Sequence, residues 1–317
     1  MFMHRRRPLP RRALSLVLAA ALVAATPRPA LAWNKAGHML TGVIAWRTLV
    51  ARAPESAAAV VALLRQHPHY ERGWRPFIER TGRPEGEMLL ALAARWPDDV
   101  RGDSTFHRST WHYVNFPLVA TGDTTPPPAT MSGDLLDVLP RTLAVLRDPA
   151  APPPQKAIAL CWLLHLTGDV HQPLHAVTML SARWPQGDRG GNLFWVKPGV
   201  VDKPLNLHSF WDDVVLSDQE ASPGPVDEAA RRLMHVFPLD ALATEAAALD
   251  ATAWARDESV PLARLAAYRD FAMPGGSSAD DAPIVPSGYR AQARAVAERR
   301  VVLAGYRIAA QLEAVTR

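Results

Sequence analysis

Residues 163–177 read L-L-H-L-T-G-D-V-H-Q-P-L-H-A-V, three histidines and one aspartate in fifteen residues. The apolar run from Ala157 to Leu164 has no helix breaker after Pro154. The stretch therefore starts as a mostly buried helix, with His165 and Asp169 at i and i+4 on one face. One turn of that helix can offer a metal both a nitrogen and a carboxylate. Pro173 should end or bend it, because proline lacks an N–H and restricts the residue before it. His175 is thereby set on a new trajectory, toward a neighbouring metal rather than the same one. A lone buried histidine is more often a satisfied core residue than a ligand. The density of this cluster favours a metal site.

Residues 1–32 are a separate object. Arg5, Arg6, Arg7, Arg11 and Arg12 precede an apolar run from Ala13 to Ala25 and then Ala30-Leu31-Ala32, the pattern of a secretory signal peptide. Cleavage after Ala32 would make Trp33 the first residue of a domain spanning 33–317. No other segment approaches the length of a membrane span, so no membrane anchor is expected in the mature form, and an exported, periplasmic or secreted protein is. The leader holds six of the 35 Lys and Arg and no acidic residue, leaving 29 basic against 31 acidic side chains, a balance of −2. A broad basic surface that binds nucleic acid by counterion release is not indicated, so any charge for phosphate must be local. Cys161 is the only cysteine. With no internal disulfide, stability must come from packing and metal.

Helical periodicity covers residues 37–50 and 56–64, and a short helix at 88–95 delivers W-P-D-D-V-R at 96–101. Residues 106–117 are expected to be extended or loop, 122–130 a proline-bearing loop, and 135–147 helical. G-D-R-G-G-N followed by L-F-W-V, within 184–196, suggests a loop with a short strand or hairpin. Further helices are expected at 205–216, 227–236, 241–254, 261–271 and 289–314, with a mobile Pro/Gly/Ser-rich loop at 273–289. G-D-R-G-G-N lacks the strand-to-helix setting of a phosphate-binding loop. The expected fold class is mainly α, a single multi-helix domain.

Other fragments share the chemistry of the central helix. W-N-K-A-G-H puts His38 five residues after Trp33, W-P-D-D-V-R offers Asp98, W-H-Y-V-N offers His112, and N-L-H-S-F-W-D-D repeats the i, i+4 pair with His208 and Asp212. Imidazole and carboxylate without thiolate suit zinc in a catalytic role.

Taken in order from Trp33 to about Asp213, these fragments resemble the zinc-dependent single-strand nucleases and 3′-nucleotidases of the S-one and P-one type. The resemblance implies a mainly helical domain with a trinuclear zinc site, three Zn2+ per chain. One zinc would be held by Asp98, His112, His165 and Asp169, with Asp169 bridging to another held by His38 and the amine and carbonyl of Trp33. The remaining zinc would take His175, His208 and Asp212. Two close zincs sharing a water would give the attacking hydroxide, while the third neutralises the phosphate; Asp98 and Asp169 are thus catalytic as well as ligands. Arg101 is the candidate for stabilising transition-state charge by forked hydrogen bonds. Tyr113, Asn115 and Asn192 stand where the family binds the base, although Asn115 departs from the aspartate common in fungal members. The implied substrates are single-stranded DNA or RNA, cut to 5′-phosphorylated products, and 3′-nucleotides; no obligate protein partner is evident. His171 reads as a supporting or helix-end residue, and His67, His69, His107 and His235 as surface or core. A bacterial zinc-dependent phospholipase C is the alternative enzyme, and a zinc-storage protein the alternative class. The W-P-D-D-V-R, G-D-R-G-G-N and N-L-H-S-F-W-D-D runs favour the nuclease, and storage has no use for Arg101.

Overall fold

In the computed structural model, which describes residues 33–127 and 132–316, helix α1 (Lys35–Arg52) starts at Asn34. The Asn34 side chain accepts from the Gly37 N–H at 2.9 Å, satisfying a donor that the first turn leaves unpaired. The expected leader at 1–32 lies outside the described residues. α2 (Pro54–Leu64) opens on a proline, whose fixed φ suits a first turn. A π turn at Tyr70–Trp74 then leads into α3 (Arg75–Thr81) and α4 (Glu85–Asp99). α4 is longer than the 88–95 expected from periodicity. Pro97 sits in its last turn, where losing one hydrogen bond does not break the helix, so Asp98 is carried on the helix itself.

A 3-10 turn at Ser109–His112 precedes strand β1 (Phe116–Val119), and α5 (Leu135–Arg147) and α6 (Pro153–Val170) follow. α6 is buried nearly all round from Ala157 to Val170, as expected of an apolar helix with no polar face. It stops before Pro173. Gln172 then caps a 3-10 turn at Pro173–Ala176 by accepting from the Leu174 N–H, which leads into β2 (Val177–Leu180). β2 pairs in parallel with β1, Phe116 opposite Val177 through Val119 opposite Leu180. That pairing joins segments about sixty residues apart and has no local sequence signal. β3 (Trp195–Val196) is the short strand expected within 184–196, and it pairs antiparallel with β4 (Leu205–Asn206), which lies beyond that segment.

Three expectations are corrected from here on. The helix expected at 205–216 is only α7 (Leu207–Asp212), because residues 205–206 are taken by the hairpin and the Asn206 side chain caps the Ser209 N–H. After α8 (Pro223–Val236), the expected 241–254 helix is broken. α9 (Ala243–Ala247) ends, and Asp250 starts α10 (Ala251–Ala253) by accepting from Thr252 and Ala253, an aspartate preferring a cap to a helix interior. α10 runs on through π turns at Trp254–Ser259 and Ala263–Ala267, with α11 (Val260–Leu262) between them. The 273–289 segment is pinned rather than loose: Trp195 and Gly276 exchange two backbone hydrogen bonds of 3.0 and 2.8 Å, and Lys197 bonds to Pro283 and Val285. The chain then enters α12 (Tyr289–Thr316).

The core is helix on helix, α1 against α4 and α12, and α6 against α4 and α5. Gly42 sets how close α1 approaches α4: a Cβ there would lie 2.4 Å from the Leu90 carbonyl oxygen. The C-terminal end of α6, which carries Asp169, is fixed by buried polar groups. Ser259 Oγ donates to Val170 O, Arg300 Nε donates to His171 O at 3.1 Å, and Arg300 and Arg307 both pair with Glu258. The carbonyls that a helix end leaves unpaired are thereby satisfied by side chains from other elements. Cys161 is buried as a thiol. Among the described residues, no helix is long and apolar enough to cross a membrane.

Candidate metal centre

Four elements converge on one buried point. α6 brings His165 and Asp169, α1 brings His38, α4 brings Asp98, and the 3-10 turn after α4 brings His112; all five are at most 5% exposed. His38 Nε2 lies 3.3 Å from Asp169 Oδ1, while His112 Nδ1 and His165 Nε2 lie 3.2 and 3.3 Å from Asp169 Oδ2. Asp169 thus faces His38 with one oxygen and His112 and His165 with the other. Asp98 Oδ1 lies 3.6 Å from His165 Nε2, and the His38 and His165 rings stack at 3.9 Å. A third group stands beside these: His175 and His208 approach Nε2 to Nε2 at 2.9 Å, with Asp212 Oδ2 3.8 Å from His208.

These donors fit zinc. Tetrahedral bonds of about 2.0–2.1 Å put two donors roughly 3.3 Å apart, and the shortest donor pairs here span 2.9 to 3.3 Å. Among the described residues, the three donor groups able to hold an ion are His38 with His165 and Asp169, Asp98 with His112 and His165, and His175 with His208 and Asp212. Both ring nitrogens of His38, His112 Nε2, Asp98 Oδ2 and Asp169 Oδ1 are buried without a hydrogen-bond partner. Buried polar atoms are almost always satisfied, so the arrangement is that of a site built around cations.

The surroundings orient the ligands. His165 Nδ1 faces Ala94 O at 2.8 Å, His175 Nδ1 faces His112 O at 2.6 Å and His208 Nδ1 faces Gly190 O at 2.6 Å. A ring nitrogen that donates to a carbonyl leaves the other as a lone-pair donor. Gln172 Nε2 donates to Asp212 Oδ1 at 2.8 Å. Burial holds His38, His112 and His175 well below the ordinary imidazole range and lowers His165 as well. The rings therefore stay neutral and able to ligate. Burial, and for Asp169 also the Asp98 charge, pushes Asp169 and Asp212 well above the usual carboxylate range, a direction that a bound cation reverses.

The centre opens into a cavity of about 330 Å³ lined by His112, His175 and His208 on its floor and by Arg101, Tyr113, Asn115 and Asn192 on its walls. Arg101 donates Nε and Nη2 to Asp98 Oδ1 at 2.9 and 2.6 Å, so the candidate charge-stabilising residue is also what orients a ligand carboxylate. Asn115 donates to Ser132 Oγ at 2.7 Å and Asn192 to Arg189 O at 2.7 Å. Gly133, at φ +107, presses on Tyr113: a Cβ there would sit 2.7 Å from ring atom Cδ2. Only glycine accepts both that φ and that approach.

A family model described as S1/P1 nuclease matches residues 33–317. The chain belongs to the S1/P1 nuclease family. Its relatives include Endonuclease 4 of Arabidopsis thaliana, 30% identical over 163 residues that cover 49% of this chain and 49% of that protein. Endonuclease 3 of the same plant is 29% identical over 163 residues, covering 49% and 50%. The matched stretch spans about half the length of these curated relatives. With the family established, the phospholipase C and storage readings give way. In this S1/P1 nuclease chain the eight expected His and Asp ligands come together in the three groups above, and Arg101, Tyr113, Asn115 and Asn192 share the cavity. Trp33 is fully buried, and its indole N–H donates to Gly168 O at 3.0 Å, one residue before Asp169. His171 caps α6 behind the site, with Nε2 taking a hydrogen bond from Arg307. His67 is buried among Trp74, Trp96 and His69, and His235 is exposed. His107, read from the sequence as surface or core, instead lines the cavity together with Ser109, Ser132, Leu193 and Arg189. Arg189 belongs to the G-D-R-G-G-N run and Leu193 follows it, whereas His107, Ser109 and Ser132 carry no motif, and only packing brings the three segments together.

Proposed function

We propose that this S1/P1 nuclease hydrolyses single-stranded DNA and RNA to 5′-phosphorylated products and also dephosphorylates 3′-nucleotides, with three zinc ions per chain. The observation that carries the reading is two buried donor groups that share His165, with Asp169 presenting one oxygen to each side, beneath a cavity walled by one tyrosine and four amide or guanidinium groups. Asp98, His112, His165 and Asp169 would hold one zinc, His38 with Asp169 and the main-chain nitrogen and oxygen of Trp33 a second, and His175, His208 and Asp212 the third. Bound zinc would supply Lewis acidity toward phosphate oxygens and a water acidic enough to ionise near neutral pH.

The chain's own residues supply position and selectivity. Arg101 holds Asp98 by a fork of hydrogen bonds and lines the cavity, which places a guanidinium charge where a phosphate oxygen gains negative charge. Tyr113, wedged by Gly133, offers a ring face on which a base stacks, and the Asn115 and Asn192 amides read its edge. Ser132 and the Arg189 carbonyl fix those amides before substrate arrives. The cavity has room for one splayed nucleotide, and only a single strand can present a base that way without unpairing it. The mature balance of −2 fits a site whose charge is local.

The assay is of residues 33–317, zinc-loaded, against single-stranded DNA, RNA, a 3′-nucleotide and phosphatidylcholine. The expected result is cleavage of the first three with 5′-phosphate ends on the strand products. Ends bearing 3′-phosphate, or turnover of lipid alone, would overturn it. Export and cleavage after Ala32 belong to the same proposal, because only a free amine at Trp33 can surrender a proton to a metal. A protein retaining an added Met before Trp33 should hold one zinc fewer and be close to inactive; full activity would exclude the amine as ligand.

A further inference from the structure

We infer that Arg189 binds a phosphodiester of the strand outside the cleaved position and sets a preference for oligonucleotides over mononucleotides, an inference that rests on the nuclease reading above. Two arginines line the cavity. Arg101 is tied to Asp98. The Arg189 side chain is exposed at the rim beside Asn192 and His208 and makes no hydrogen bond or ion pair among the described residues.

Its backbone is the unusual part. Arg189 sits at φ +58, a left-handed conformation that side chains with a Cβ rarely adopt. Such strain persists only where the surroundings over-determine it. They do so here. Asp188 is fully buried, accepting from the Met179 N–H at 2.9 Å and from Tyr268 Oη at 2.6 Å. The Arg189 N–H donates to Thr178 Oγ1 at 3.1 Å, and the Arg189 carbonyl receives the Asn192 side chain at 2.7 Å. A strained, rigidly buttressed turn thus holds an unspent guanidinium at the mouth of the cavity that His112, His175 and His208 line. The same turn holds Asn192, so the cation and the base-reading amide keep a fixed relation.

The chemistry of the cation names its ligand. The scissile phosphate would already face the ligand groups and Arg101, whereas Arg189 belongs to no ligand group and projects from the rim. A single strand leaving the cavity carries its next phosphodiester past that rim, and a guanidinium meets phosphate oxygens with paired N–H groups. A 3′-nucleotide carries no second phosphodiester and gains nothing from this contact.

Arg189→Gly and Arg189→Lys separate this role from a structural one, because glycine accepts the positive φ without strain. The readouts are binding of a labelled oligothymidylate to the zinc-loaded protein, and KM and kcat on that oligonucleotide and on a 3′-nucleotide. For Arg189→Gly, Kd and KM for the oligonucleotide should rise about tenfold, the ordinary worth of one charged phosphate contact. The slope of log affinity against log salt should become shallower by about 0.7, the value for one phosphate of a single strand. Changes on the 3′-nucleotide should stay within about twofold, Arg189→Lys should recover part of the loss, and Tm should hold or rise. Equal losses on both substrates, or loss of zinc, would assign Arg189 to the support of His208 through the neighbouring Gly190 carbonyl and overturn the inference. Unchanged oligonucleotide binding and salt slope would overturn it too. A wild-type protein that binds the oligonucleotide but cleaves neither substrate would defeat the nuclease reading instead, and the binding comparison would still decide the role of Arg189.

Discussion

The two halves of the candidate metal centre are built by different means. His38, Asp98, His165 and Asp169 ride on the long helices α1, α4 and α6, whose mutual packing sets the distances between them, and only His112 joins them from a 3-10 turn. His175, His208 and Asp212 come from a 3-10 turn and a six-residue helix. Their geometry is set by single hydrogen bonds, His175 to His112 O, His208 to Gly190 O and Asp212 to Gln172. The helical half shares one carboxylate between two donor groups, so its sites should fail together. The half built on short elements should fail one contact at a time.

The sharpest test of that contrast is a pair of carboxamide variants. Asp169→Asn is expected to abolish activity and release two zincs per chain, because a neutral amide cannot hold two cations close together. Asp212→Asn should release about one. Metal counting by mass spectrometry decides, and equal release from both variants would end the distinction.

Next in size is the buttress behind α6. Arg300 is fully buried, donating to His171 O and pairing with Glu258 and Ser259 Oγ. Arg300→Met leaves Glu258 with one partner fewer and the His171 carbonyl without its side-chain donor. A loss of about 3 kcal/mol in urea unfolding is expected, with zinc stoichiometry retained in the protein that stays folded because the ligand atoms themselves are untouched. Loss of all zinc from folded protein would show that the helix end, not the helix packing, sets the buried half.

The loop that orients His208 adds a pH dependence. Burial raises the Asp188 carboxyl to about 6 from an ordinary 3.8, against the hydrogen bonds from Tyr268 and the Met179 backbone. The fold therefore favours the protonated form. The stability this group contributes is complete below about pH 3.8 and is lost as pH rises through about 6, roughly 3 kcal/mol in all. Asp188→Asn should remove that component, seen as a flatter curve of unfolding free energy between pH 4 and 7 than the wild type gives.

The smallest expected effect belongs to Gln172. Gln172→Leu deprives Asp212 Oδ1 of its donor, and losing such an outer contact typically weakens a metal about 10–100-fold. Chelator titration should show one weakened zinc and two unaffected ones. A change at all three would mean that the two halves are coupled through the turn at Pro173.

The sequence by itself determined whatever lies within one helical turn. His165 with Asp169 and His208 with Asp212 are pairs fixed by the 3.6-residue period, and both occur as spaced. The helices at 37–50, 56–64, 135–147 and 289–314 were legible for the same reason, with ends shifted by caps. Only the tertiary structure decided which oxygen of Asp169 faces His38, and that His107, Ser109, Ser132 and Arg189 share the cavity. It also decided that β1 runs beside β2, and that backbone pairing with Trp195 and Lys197 pins the 273–289 segment. The reason is physical: a periodic pattern encodes which face of one element is buried, whereas distances between elements follow from how residues such as Gly42 and Arg300 let those faces meet.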